Sequence, residues 1–163
     1  PVARRRPRPD HDRPARPLVP ELRRPADLTI VDLDRRDLIP PELEAELYAY
    51  MSGIVRNNGA KFIIGNGTAN HSHLLLSAGR LDIPTLVGDL KRSTSLWMKQ
   101  KGVRDFYWQA GYGAFSIGEA QVPVVRDYIA GQKEHHKKHD FKDELRAICR
   151  RYNVEIDERY VWD

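Results

Sequence analysis

The sequence predicts an α+β domain in the order β-α-β-β-α-β, followed by one further helix. Three observations carry this. Short β-prone runs recur at 28–33, 61–65, 71–77 and 113–117. Stretches with apolar residues at helical spacing separate the first from the second and the third from the fourth. After the fourth run, Val122-Pro123 opens another helical stretch.

Leu28-Thr29-Ile30-Val31-Asp32-Leu33 is the first strand. Pro40-Pro41-Glu42 starts a helix, since proline suits the first turn and Glu42, Glu44 and Glu46 complement the positive helix end. Leu43, Leu47, Tyr50, Met51 and Ile54 give it one apolar face through about Arg56, and Asn57-Asn58-Gly59 ends it. Lys61 to Gly65 reads as strand, Gly65-Asn66-Gly67 as a turn, and the following segment as strand through about Ser77. A second helix after Pro84 carries Leu86, Val87, Leu90, Trp97 and Met98 and stops near Gly102. Gly113 to Ile117 is the fourth strand, about 122–139 the third helix, and about 140–153 a shorter amphipathic helix. This order is the ferredoxin-like or RRM-like plan, an antiparallel sheet that leaves one face free of helices to carry a site.

Charge is distributed unevenly. Residues 1–27 hold Arg4, Arg5, Arg6, Arg8, Arg13, Arg16, Arg23 and Arg24 against Asp10, Asp12, Glu21 and Asp27, which accounts for the whole net charge of +4. Seven of the eleven prolines also fall there. Such a segment buries too little apolar surface to offset its ordering entropy, and it reads as disordered. It is either a basic arm adding phosphate contacts to nucleic acid or an extension without a role. Residues 28–163 form the domain, with a tail from 140 onward. A single cysteine, Cys149, excludes an internal disulfide and multi-cysteine metal sites, and no apolar run is long enough to span a bilayer. A cytoplasmic location and no membrane partner are the expectation.

The chemistry concentrates in Asn70-His71-Ser72-His73. Residues two apart on a strand point to the same face, roughly 7 Å apart along the backbone, so His71 and His73 are spaced to grip one metal ion. In the third helix Tyr128 and Gln132 are four apart and stack on one face. A glutamine carbonyl is a hard-oxygen ligand, and a tyrosine hydroxyl is a possible nucleophile. Two imidazoles, an amide oxygen and open positions suit Mg²⁺ or Mn²⁺ with a phosphate, which points to phosphoryl transfer. His135, His136 and His139 show no common face and read as a solvated, DNA-facing helix end.

With Trp108-Gln109-Ala110-Gly111-Tyr112-Gly113-Ala114-Phe115-Ser116 and the ending Ile156 to Asp163, these elements resemble the single-tyrosine HUH transposases, enzymes of small insertion sequences and their REP-associated relatives. The resemblance spans roughly 38–163. It implies cutting and rejoining of single-stranded DNA beside a hairpin, with tyrosine linked to the 5′ phosphate. His71, His73 and Gln132 would hold the metal, Tyr128 would attack, and two copies would form a homodimer with active sites shared between chains. Members usually carry a bulky apolar residue between the histidines and an acidic one before them; here these are Ser72 and Asn70. Members also begin with a long aromatic-rich first strand, where this chain has the Arg/Pro segment and a modest 28–33 run.

Candidate DNA contacts are Lys91, Arg92, Lys99 and Lys101 to phosphates and Tyr107 and Trp108 to bases, against a solvated face and core packing respectively. Two other classes stay open: a ferredoxin-like single-stranded nucleic-acid binder that has lost its chemistry, and a His-x-His metallohydrolase or cupin. Leu74-Leu75-Leu76 after His73 argues against the last.

Overall fold

Strand pairing decides where everything else sits. The structure, a computed structural model, describes residues 16–17, 28–34, 39–108, 111–135, 147 and 150. Its elements run β1 (Arg16–Pro17), β2 (Leu28–Asp34), α1 (Pro41–Asn57), β3 (Lys61–Thr68), β4 (His71–Ser77), α2 (Ile83–Gln100), β5 (Gly111–Ser116), a 3-10 turn (Glu119–Gln121), α3 (Val122–Ala130) and α4 (Gln132–His135). The sheet order is β1-β5-β2-β4-β3, with β2, β3, β4 and β5 pairing antiparallel among themselves. Leaving β1 aside, this is the strand order of the ferredoxin-like plan, so the fold class read from the sequence holds.

Four expectations change in detail. Arg16 and Pro17, placed in a disordered segment, pair in parallel with Gly111 and Tyr112 at the open edge of β5. An edge strand offers unpaired backbone groups, and proline is tolerated there because one side needs no donor. The first strand, modest in sequence, pairs along its full length with β4 and along four residues with β5.

The expected turn at Gly65-Asn66-Gly67 is strand instead, and the chain reverses at Ala69-Asn70. The glycines serve close approach. A Cβ on Gly65 would lie 2.6 Å from the Phe62 ring and 2.8 Å from Tyr48, and one on Gly67 would lie 2.0 Å from the His71 carbonyl oxygen. Only hydrogen fits at either place.

The third helix, expected to run unbroken to about residue 139, is divided at Gly131 into α3 and α4. Residues 136–139 and most of the segment 140–163 lie outside the described residues; Ala147 and Arg150, within the expected fourth helix, are helical.

Nor is the second sheet face free. On one face α1 and α2 pack through Leu47, Met51, Val55, Leu86, Val87, Leu90 and Met98 onto Leu74 and Leu76 of β4. On the other, α3 packs through Val125 and Ile129 onto Leu75 and Ile117. A bulge at Ile63, between Phe62↔Leu76 and Ile64↔Leu75, inserts one extra residue into β3. Phe62 therefore joins the α1/α2 core while Ile63 and Ile64 both pack towards α3. Residues His71 through Leu76 are all buried as a result.

α1 begins with Pro40 as cap and Pro41 at its first position, and α2 is capped by the Asp82 carboxylate, which accepts from Thr85 N–H at 3.0 Å. No described helix is long and apolar enough to cross a membrane.

Ser72, the unusual residue between the histidines, points at α1 and shares a 3.0 Å hydrogen bond with the Tyr48 hydroxyl. Burial pushes the Tyr48 hydroxyl well above its ordinary value of 10.0, although the bond to Ser72 works in the opposite direction. The folded protein therefore keeps a proton that the unfolded chain releases above about pH 10. Stability from this group is present in full below that pH and is lost as pH rises through the alkaline range. Replacing Tyr48 by Phe should flatten the alkaline decline in urea-denaturation midpoints. At pH 7 the same variant should be less stable by about 1 kcal/mol, because the buried Ser72 hydroxyl loses its partner.

Candidate active site

β4 alternates sides, and this sorts the site from the core. His71 and His73 share the face of Leu75, towards α3, while Ser72, Leu74 and Leu76 face α1 and α2. Both imidazoles are almost fully buried, each 1% exposed, with ring centres 4.9 Å apart and planes at 70°.

The strand β3 supplies their polar neighbours in register. Thr68 stands opposite His71, and Asn66 opposite His73. His71 Nδ1 lies 2.6 Å from the Asn70 Oδ1 and 2.9 Å from the Thr68 hydroxyl, which itself donates to Asn70 Oδ1 at 2.8 Å. An amide oxygen only accepts, so in this geometry Nδ1 carries the proton and Nε2 is the nitrogen with the lone pair. Asn70 thus orients the His71 ring through its Nδ1 with a neutral amide. On the other flank, Asp34 and Asp32 of β2 occupy the register positions opposite His71 and His73.

Tyr128 reaches the same place from α3. Its ring centre is 6.0 Å from that of His73, at 57°, and the ring is packed against the small core of Leu75, Ile117, Val125 and Ile129. Gln132 is completely buried at the start of α4, which packs on β3. A turn at Gly131 separates Tyr128 on α3 from Gln132 at the start of α4. Asn66, read from sequence as part of a turn, is the residue that meets this break: its amide donates to Ile129 O at 2.8 Å and to Ala130 O at 3.1 Å.

The donor set fits a divalent cation. Two neighbouring imidazoles, one with its metal-facing nitrogen set by hydrogen bonding, combine with a buried amide side chain as a hard-oxygen donor. Among the described residues no group of three or more His, Cys, Asp or Glu side chains forms an alternative cluster.

The candidate DNA contacts scatter. Lys91 is half-buried, donates to the Gly111 carbonyl and lies 5.8 Å from the centre of the Tyr112 ring. Arg92 pairs with Asp89 on its own helix, and Lys101 pairs with Glu46 while sitting 5.2 Å over Trp97. Lys99 is exposed. Trp108 is 8% exposed, donates to the Thr94 hydroxyl at 2.7 Å and stands edge-on to Phe106, which is a packing role; Tyr107 is half-buried. Sequence reasoning missed Thr68 and Asn66. The signal for both was there, as two polar residues at alternate positions of a strand facing an alternate pair of histidines.

The crystal structure of a "putative transposase" from Deinococcus radiodurans R1 is 22% identical, with a TM-score of 0.48, covering 64% of this chain and 88% of that one. A REP-associated tyrosine transposase, solved bound to a REP hairpin, is 14% identical, with a TM-score of 0.53 over 67% of each chain, and has the same fold. No curated protein matches the sequence. The family model described as "Transposase IS200 like" matches residues 26–132, which takes in β2 through Gln132 and every residue of the site, and the chain belongs to that family.

Proposed function

We propose that this transposase cuts and rejoins single-stranded DNA at a hairpin end, with Tyr128 as the nucleophile. The observation that carries the reading is the placement of Tyr128 beside the buried His71–His73 pair, 6.0 Å from His73 between ring centres. The hairpin bound by the REP-associated transposase of the same fold supports the substrate class.

In the proposed reaction the Tyr128 oxygen attacks a backbone phosphorus, and the bond from that phosphorus to the 3′ oxygen breaks. The phenol gives up its proton, the 3′ oxygen leaves as a hydroxyl, and the 5′ phosphate stays on tyrosine. Because the phosphotyrosine bond conserves the phosphodiester's energy, a 3′-OH can reverse the step without a nucleotide cofactor. Tyrosine is mostly protonated at neutral pH, so the phosphate must be made more electrophilic. His71 through Nε2, His73 and the Gln132 carbonyl would hold Mg²⁺ or Mn²⁺, which supplies that polarisation when bound. The remaining task falls to the protein: α3 aims the phenol at the phosphate, and the packing around it restricts water as a competing nucleophile.

The histidines and the tyrosine meet within one chain. The resemblance also implies a homodimer with shared sites, and the two arrangements differ in a mixing experiment. With a Tyr128→Phe chain and a His71→Ala/His73→Ala chain combined, an intramolecular site yields no adduct. A shared site restores part of the activity.

The direct test incubates the protein with single-stranded hairpin DNA and Mn²⁺ and looks for a protein–DNA adduct that survives denaturation. The unmutated protein should form it. Tyr128→Phe should form none while still binding the hairpin, and His71→Ala should lower the rate by at least about a hundredfold. Chelation by EDTA should abolish the adduct, and added Mn²⁺ should restore it. Hairpin binding without any adduct from the unmutated chain would instead mark a protein that only binds.

A further inference from the structure

We propose that Asn66 is a positioning residue for the DNA-cleaving reaction: its side-chain amide holds open the helix break that separates Tyr128 from Gln132. This rests on the roles proposed above for those two residues and extends them to a residue of β3.

In an unbroken α-helix the Ile129 carbonyl would accept from Lys133 N–H, and the Ala130 carbonyl from Glu134 N–H. Here Glu134 N–H turns back to the Gly131 carbonyl at 3.1 Å instead. The two carbonyls are taken by one Asn66 nitrogen, at 2.8 and 3.1 Å. A carboxamide carries two N–H donors on that nitrogen, one for each acceptor. A side chain from the sheet thus bonds both acceptors that a continuing helix would have used, and the Ile129 carbonyl also keeps a backbone donor at the end of α3.

Gly131 does not force the break. Its φ is −86°, open to any residue, and an added Cβ would lie 3.4 Å from the Asp127 carbonyl, an ordinary contact. The special backbone freedom of glycine is not what bends the chain here. The sheet is. Asn66 sits in register opposite His73, so the same β3 position that flanks one proposed ligand also anchors the end of the tyrosine helix. A second tie lies beyond the break, where Lys133 pairs with Glu44 of α1 at 2.7 Å. That pair is 62% exposed on the lysine side and contributes little. The part-buried Asn66 bond to the Ile129 carbonyl is the stronger restraint.

The experiment compares Asn66→Ala and Asn66→Asp with the unmutated chain, after thermal melts establish that each folds. Asp has the shape of Asn but turns both donors into acceptors facing carbonyl oxygens, and it keeps the position filled if Ala proves too unstable. Two readouts are taken. The rate of adduct formation should fall on the order of a hundredfold in both variants, with hairpin affinity unchanged, as expected for a displaced nucleophile. Amide hydrogen exchange followed by NMR should show Lys133 and Glu134 gaining protection in Asn66→Ala, as the helix runs through.

An unchanged adduct rate would overturn the proposal. So would a fall matched by lost hairpin affinity and by faster exchange across the whole sheet, which is the pattern of a merely structural residue. If the unmutated chain forms no adduct, the reading of Tyr128 fails separately. The exchange at Lys133 and Glu134 then still decides whether Asn66 holds the break, a local gain upholding it and no local change refuting it.

Discussion

Burial of β4 on both faces is the constraint on which the rest of this structure depends. It lies between β2 and β3, so its backbone is paired on both edges, and helices cover both of its surfaces. A strand in that position has no solvated side on which to put polar residues. Yet three of its first three residues are polar: His71, Ser72 and His73. Each must find its hydrogen bonds within the protein, because a buried polar group without a partner costs more than most single contacts contribute. The surrounding architecture answers that demand at Ser72 and at His71 Nδ1.

On the α1/α2 side the answer is short: Ser72 meets the Tyr48 hydroxyl, and the site strand is tied to the first helix. On the α3 side it is a small polar layer set into an otherwise apolar face. Thr68 and Asn70 hold His71, and Asn66 turns away from the sheet to bind the end of α3. Thr68 can reach His71 only because β3 and β4 pair without slippage beyond the bulge at Ile63. The glycines at 65 and 67 allow that pairing, since the Tyr48 ring and the His71 carbonyl occupy the space their side chains would need. Register, close approach and histidine orientation are one linked arrangement.

The tyrosine helix adds the element that distinguishes a catalytic layout from a buried polar cluster. α3 contributes apolar packing through Val125 and Ile129 and, on the same side, brings Tyr128 against His73. Packing energy therefore does the aiming: the contacts that seat the helix also place the phenol. The match to the IS200-like transposase family spans this helix as well as the histidine strand. The break at Gly131 puts Gln132 at the start of a separate short helix.

Much of this was legible in the residues alone. Periodicity located α1, α2 and the strands, because apolar spacing is a local property that survives into the folded state. The spacing of His71 and His73 determined that they share a face, since strand geometry admits no other outcome, and the family resemblance singled out Tyr128 and Gln132. What the chain could not reveal locally depends on partners far away in sequence. Gly65-Asn66-Gly67 has turn composition, yet it is strand, because pairing with β4 and the bulk of Tyr48 outweigh local preference. Val122 onward has the pattern of one long helix, yet it breaks, because a side chain 63 residues earlier takes the Ile129 carbonyl. Sequence singled out His71, His73, Tyr128 and Gln132 as the candidates and placed them on their strand and helix. Only the tertiary structure decided how they are held, because hydrogen bonds between distant segments exist only once the sheet has set its register.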